Sequence, residues 1–408
     1  MDINEWLKLA EAKRLWMVEQ MRRLVAIPAV NPGMGGGGEY QAVKWLESLL
    51  DTYEIPYEEF AVADARTPEG QRLNLIVRLP AADPNCQKTL WLVGHMDTVS
   101  PGDLSLWHTD PFELKVDGGK LYGLGAEDNG QGVICALAAC VILWEQGIRP
   151  GCNVGFLFAA DEETGSAYGF VPVLQAGYFG PEDEAIIPDG GQADGAFVEL
   201  AEKSFFLVRL TTLGKQGHAA WPQQAVNAFS VGCRLVTALE QGLAARFPQQ
   251  DALFDPPCST FVPTQKFANV ESTNIIPGSD AFVLDMRILP QIDLDLVEAE
   301  IRRIAAEFEQ KYLVSVQLEI LDKAPAPPPT RPEAPLVQRL LTSLRQLELE
   351  PRCGGIGGGT CGEFLRRAGI PSAVWSTVLE LAHQPNEYAV LDNMVRDTAV
   401  FLSVIDQY

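Results

Sequence analysis

Two of the chain's four histidines stand in stretches that also carry carboxylates. His95 and Asp97 follow the apolar run 89–93 and the breaker Gly94, in Gly94-His95-Met96-Asp97-Thr98. His383 opens His383-Gln384-Pro385-Asn386-Glu387-Tyr388 near the C-terminus. Three further acidic stretches lie between them. Glu127 and Asp128 sit in the Gly-rich segment 123–130, Asp161-Glu162-Glu163 follows the apolar run 154–159, and Asp189 stands in Pro188-Asp189-Gly190-Gly191. In α/β proteins the residues just past a strand's C-terminal end face the ligand crevice. Taken alone, the His95 and Asp97 pair reads equally well as a solvated turn, and any single acidic loop reads more readily as one. Carboxylates and imidazoles massed in one crevice would repel or stay protonated unless a cation neutralised them. Two divalent metals sharing a bridging carboxylate satisfy such a set. His with Asp and Glu suits zinc, and cobalt or manganese also fit.

The elements that must position these residues alternate in kind. Apolar periodicity predicts helices over 5–25, 39–50 and 129–145, and strands over 73–79, 89–93, 153–159 and 185–187. This rhythm argues for a largely parallel sheet with helices on both faces. The texture then changes to a strand over 205–212, a helix over 225–241, strands over 259–270 and 280–288, a helix over 294–312 and a strand over 314–320. A β-α-β-β-α-β order fits a ferredoxin-like α+β unit. The proline-dense segment 324–332 reads as an extended linker. Helices over 335–347, 361–368 and 393–405 and a strand over 372–376 complete the chain. The expected fold is an α/β catalytic domain, with a mixed, largely parallel sheet, interrupted by an inserted α+β domain. Its limits are 1–201, 202–322 and 323–408. The run Gly35 to Gly38 is expected to be a flexible loop, because it lacks the Gly-Lys-Ser/Thr ending and the preceding buried strand of a phosphate cradle.

Composition narrows the function classes. With 408 residues and 47% hydrophobic content the chain can bury a sizeable core in two or three domains. A formal charge of −23, from 31 basic and 54 acidic residues, repels phosphate backbones, so nucleic acid is not an expected partner. No apolar run looks long enough to span a bilayer, and the N-terminal segment lacks the apolar core of a signal peptide, so no membrane association and a cytoplasmic location are expected. The eight cysteines show no C-x-x-C spacing and are expected to be buried thiols.

The motifs together resemble the metal-dependent aminoacylase/carboxypeptidase family, whose members include acetylornithine deacetylase, succinyl-diaminopimelate desuccinylase, tripeptidase and glutamate carboxypeptidase. The residues carrying the resemblance are Gly94 to Val99, Trp107 with Asp110-Pro111-Phe112, Leu121 to Asp128, Asp161-Glu162-Glu163, and His383 to Tyr388. The likeness extends over nearly the whole chain. It implies a zinc-exopeptidase-like catalytic domain with a cocatalytic dizinc site. Asp128 would bridge the metals, His95 and Asp189 would complete one metal's ligands, and Glu163 and His383 the other's. Asp97 would orient His95, and Glu162 would be the general base. Gly217-His218-Ala219-Ala220 resembles the family's lid motif, in which His218 would donate to the oxyanion, often across a homodimer interface. Asn274, in Asn274-Ile275-Ile276-Pro277, and Arg287, in Asp285-Met286-Arg287, would grip a substrate carboxylate. His108 fits no ligand role and reads as structural.

Two departures from the family pattern bear on substrate. Cys361 in Gly357-Gly358-Gly359-Thr360-Cys361-Gly362-Glu363 stands where the family commonly has Asp, and Glu363 replaces a frequent basic residue. Thr360 and the loop amides could still bind a carboxylate. Residues 126–132 also differ from the common Asp-Met-Lys-Gly ending. The implied activity is hydrolysis of an N-acyl amino acid, deacetylase- or desuccinylase-like, or of a small dipeptide with a free carboxylate. The alternatives are an aminopeptidase or tripeptidase on the same site, and a non-catalytic metal- or ligand-binding homologue.

Overall fold

The apolar strand Thr89–His95 is buried at every position, as a strand covered on both faces must be. It lies inside an eight-stranded sheet of order Tyr57–Ala63, Gln71–Leu79, Asn153–Ala159, Thr89–His95, Glu184–Gly191, Ser372–Ser376, Phe197–Glu202 and Arg352–Ile356. The four central strands run parallel, with Leu90 opposite both Val154 and Glu184, and Ala185 opposite Ser372. Gln71–Leu79 is antiparallel to both its neighbours. The sheet is therefore mixed, with its parallel part at the centre. From Thr89–His95 the chain crosses to the neighbour on one side, Asn153–Ala159, and then to the neighbour on the other, Glu184–Gly191. Such a reversal leaves the C-terminal ends of three adjacent strands around one crevice.

The computed structural model describes residues 1–408, divided into two units. The first comprises Met1–Leu200, Pro329–Cys353 and Thr360–Tyr408. Its central helix, Gly132–Glu145, is apolar all round and buried over nearly its whole length, as expected of a core helix. The longer stretch Ala126–Glu145 has the length and apolar composition of a bilayer span, contrary to the sequence expectation, but nearly all of it is buried inside the protein. Helix Ile3–Ala12 opens on a capping box in which Asp2 and Glu5 satisfy each other's amides. The helix expected over 5–25 is two helices, Ile3–Ala12 and Arg14–Val25, parted at Lys13.

The second unit comprises Ala201–Pro328 with Gly354–Gly359. Burial along Ser204–Leu213 alternates strictly, the signature of a strand with one face on a core. The sheet order is Thr260–Lys266, Ser279–Ile288, Ser204–Leu213, Ser315–Ala324, all antiparallel. Helices Ala228–Arg246 and Leu294–Tyr312 close its core with Leu235, Leu239, Val297 and Ile301. This is the ferredoxin-like arrangement expected of the inserted segment.

All eight cysteines are free, but only Cys135, Cys140, Cys152 and Cys361 are buried, while Cys233 is exposed and the others are half-buried. Four of the eight are thus buried as expected, and four are not. Cys233 faces outward on an amphipathic helix whose other face carries the packing.

Candidate metal centre

Three parallel strand ends supply most of the site. His95 ends Thr89–His95, the turn Glu162–Thr164 follows Asn153–Ala159, and Asp189 lies on Glu184–Gly191. Gly94 is required here, because a Cβ would meet Asn129 Oδ1 at 2.8 Å. That same oxygen accepts the His95 amide at 3.3 Å. The helix expected from 129 begins at Gly132, since Asp128 and Asn129 have non-helical backbone angles within the turn Ala126–Gln131. The Asp128–Asn129 peptide bond is cis. His383 comes from the distant segment before Tyr388–Val390.

His95 Nδ1 lies 2.9 Å from the Asp97 main-chain oxygen, so it donates, and in the neutral ring Nε2 keeps its lone pair. Nε2 faces Asp128 Oδ1 at 3.0 Å and Asp189 Oδ1 at 3.7 Å. The other Asp128 oxygen, Oδ2, is 3.3 Å from His383 Nε2, which is also 3.0 Å from Glu163 Oε2. Asp128 thus turns one oxygen to each imidazole. The Asp97 carboxylate stands 3.6 Å from His95 Nδ1, too far for a hydrogen bond. The contact expected of that carboxylate is made by the main chain of the same residue. The carboxylate instead accepts the Glu162 amide at 3.0 Å and the Asn31 side-chain amide at 2.7 Å. It holds the Glu162 turn.

The charges are strongly coupled. Burial disfavours the charged form of His95, but Asp189 and Asp128 outweigh it and hold its pKa well above the usual value. Hydrogen bonds to Asp128 and Glu163 push His383 up to about 10. Burial would raise Asp128, yet its hydrogen bonds to His383 and His95 prevail and lower it. Glu162 is raised well above the ordinary range by burial and then by the charge of Asp189, and burial likewise raises Glu163 and Asp189.

The donor set fits divalent metal ions. Ligand atoms of His95, Asp128 and Glu163, and of His95, Glu162 and Asp189, lie within 4.8 Å of one another in each group. Glu163 Oε1 is buried without a hydrogen-bond partner, a costly arrangement that a cation would relieve. Nitrogen and carboxylate oxygen together suit zinc, cobalt or manganese.

Several supporting residues carry no local sequence signal. Asn31 bridges Asp97 and Asp161, at 2.7 and 3.1 Å. The glycine run beside it serves close approach, because a Cβ on Gly36 would meet the Val30 carbonyl oxygen at 1.9 Å. The Asn129 side chain donates to the Pro188 carbonyl at 2.6 Å and to Asp189 Oδ1 at 2.9 Å. Cys361 is buried, with Sγ 3.6 Å from Ser166 Oγ. Thr360 Oγ1 accepts the Gly362 amide at 3.1 Å. His108 gives its main-chain N–H to Asn386 Oδ1 at 2.7 Å.

Within the second unit His218 and Asn274 lie on adjoining segments, with the Ala219 amide donating to the Asn274 carbonyl at 2.9 Å. His218 is exposed, and its Nδ1 accepts the Ala220 amide at 3.0 Å, which leaves the ring proton of the neutral form on Nε2. Arg287 is engaged within this unit. Its Nε and Nη2 donate to Asp285 at 2.7 and 3.1 Å, its Nη1 donates to the Gly357 carbonyl at 2.7 Å, and its guanidinium lies over Phe205.

Known proteins share both sequence and fold with this chain. An uncharacterised metallohydrolase of Methanocaldococcus jannaschii is 34% identical over 402 residues, covering 94% of this chain and 97% of that protein. A succinyl-diaminopimelate desuccinylase of Methylobacterium sp. is 31% identical, covering 94% of each. The crystal structure of an aminopeptidase of Bacillus cereus superposes with a TM-score of 0.73 over 97% of this chain and 98% of that one; at 17% identity this is a likeness of fold. The model of Peptidase family M20/M25/M40 matches residues 91–407, a span that holds His95, Asp128, Glu162, Glu163, Asp189 and His383, and the chain belongs to that family.

Proposed function

We propose that the protein hydrolyses the amide bond of an N-acyl amino acid, or of a short dipeptide, that carries a free carboxylate. Its family consists of metallohydrolases of amide and peptide bonds. The observation that carries the proposal is the placement of Asp128 between His95 and His383, with the half-buried Glu162 beside them. The desuccinylase relative at 31% identity favours an acylated amino acid over a free peptide.

His95, Asp128 and Asp189 would hold one metal ion and Asp128, Glu163 and His383 a second, with zinc the expected metal. Two such ions, when bound, supply Lewis acidity and bring the pKa of a water towards neutrality. Glu162 then takes the proton of the attacking water on its carboxylate and delivers it to the departing nitrogen. Asp97 keeps the Glu162 turn in place through the Glu162 amide.

His218, with its Nε2 proton free to donate, serves the oxyanion in this scheme. Thr360, Asn274 and the remaining N–H groups of Arg287 serve the substrate carboxylate. Alanine at each is expected to raise KM more than it lowers kcat, except at His218, where kcat falls. A homodimer through the second unit and a cytoplasmic location belong to the same proposal; light scattering checks the former.

Glu162→Gln tests the mechanism. It is expected to leave metal content unchanged and to lower kcat about 10²–10⁴-fold, the usual contribution of a general base. Unchanged turnover would overturn the assignment. Comparing N-acetyl and N-succinyl amino acids with free di- and tripeptides separates a deacylase from an aminopeptidase. Two bound metals with no hydrolysis across that panel would mark a binding protein.

A further inference from the structure

Residues 377–387 carry His383 through turns and bends without helix or strand, and the His383 side chain is 56% exposed. A ligand on such a segment needs an anchor, because metal ligands must be held within about 0.5 Å of a productive position. Two buried carboxylates anchor it from both sides. Glu127, next to Asp128 in the chain and 4% exposed, accepts the Leu379 amide on Oε1 at 2.5 Å and the Leu381 amide on Oε2 at 2.6 Å. Glu387, four residues past His383 and 1% exposed, returns the contact. Its Oε1 accepts the Glu127 and Asp128 amides at 2.7 and 2.9 Å, and its Oε2 accepts the Gly125 amide at 2.9 Å. The Gly123 amide also donates to the Glu387 carbonyl at 3.1 Å.

Each carboxylate therefore stands beside one candidate ligand in sequence and grips the backbone beside the other. The segments so joined are more than 250 residues apart, with side-chain contacts at separations of 252 to 262. Hydrogen bonds from amides to a carboxylate are short and stronger than neutral ones. Converging N–H groups suit an acceptor-only side chain, whereas glutamine would turn an NH₂ donor toward an amide donor.

We infer that Glu127 and Glu387 form a reciprocal clamp that fixes the separation of Asp128 and His383, and so sets the affinity of the metal position these two share with Glu163. The inference rests on the proposed metal centre. Both glutamates are positioning residues, since neither side chain points its oxygens at the reacting atoms but spends them on main-chain amides.

Calorimetric titration of the chelator-treated full chain with zinc tests the clamp, using wild type, Glu127→Gln, His383→Ala and the double variant. Wild type is expected to show two sites. Glu127→Gln should weaken one site tenfold or more, within the 10–100-fold typical of residues that support metal ligands, and leave the other unchanged. Adding Glu127→Gln to His383→Ala should change nothing further. Wild-type affinity at both sites, equal weakening of both, or an additive loss in the double variant would overturn the clamp.

Amide hydrogen exchange without metal gives an independent measurement. Glu127→Gln should speed exchange at Leu379 and Leu381, and also at Gly125 and Asp128 across the clamp. Glu127→Asp, which keeps two acceptor oxygens on a shorter arm, should show a smaller effect and serves if the glutamine variant does not fold. Unchanged exchange at all four amides would overturn the clamp. A wild-type chain that binds no zinc would overturn the metal centre instead, while exchange still reports on the clamp.

Discussion

Arg72 is fully buried and shares its guanidinium among several carboxylates. It pairs with Glu39, also at 0% exposure, at 2.5 Å, and reaches Asp161 at 3.2 Å, with Asp64 at 3.7 Å and Asp97 at 4.0 Å. Asp97 and Asp161 in turn flank the Glu162 turn, so this cation neutralises the base on which the site is built. Arg72→Met would leave those charges uncompensated in the interior, and a loss of about 3–5 kcal/mol is expected. Urea denaturation measures it, and a loss below 1 kcal/mol would contradict this role. Arg72→Lys should recover only part, since a point charge cannot reproduce the planar fork. The candidate ligands were legible in the sequence because His and carboxylate motifs stand out at strand ends. Arg72 and Asn31 were not, because neither has a local pattern and Asn31 meets its partners across 66 and 130 residues.

Elements are tied to one another by similar buried groups. Asp397, on helix Leu391–Asp406, accepts the Thr377 amide at 2.8 Å and the Thr377 hydroxyl at 2.7 Å, just past strand Ser372–Ser376. Burial pushes its carboxyl up to about 6 from 3.8. A folded-state pKa above the unfolded one means that the stabilisation from the bound proton is complete below about pH 4. It is lost as pH rises through 6. The stability of wild type relative to Asp397→Asn should therefore fall by roughly 2 kcal/mol between pH 4 and pH 7. Denaturation at the two values checks this, and a constant difference would contradict it. Strands Asn153–Ala159 and Ser372–Ser376 and helix Leu294–Tyr312 coincide with the apolar runs and periodicity that predicted them. Strand Tyr57–Ala63 carries little sequence signal because it is a largely exposed edge on which only Tyr57, Phe60 and Val62 are partly covered. The start of helix Gly132–Glu145 was misplaced because periodicity cannot register the non-helical turn through Asp128 and Asn129.

At the scale of the molecule, an acidic chain of net charge −23 concentrates carboxylates in one crevice of an α/β sheet and joins that sheet's chain to a ferredoxin-like unit. Fold class and family were legible because the motifs at strand ends and the change of texture near residue 204 are both properties of sequence. The substrate side was less so. Cys361 is buried against Ser166, and Arg287 is already paired with Asp285, arrangements that depend on packing. The central claim is metal-dependent amide hydrolysis. Its most direct measurement is the release of free amine from N-acetyl and N-succinyl amino acids by the chelator-treated chain, before and after two equivalents of zinc, cobalt or manganese are restored. No release before and turnover after is the predicted result. Hydrolysis that persists after chelation, or none by a chain that has bound two metal ions, would contradict it.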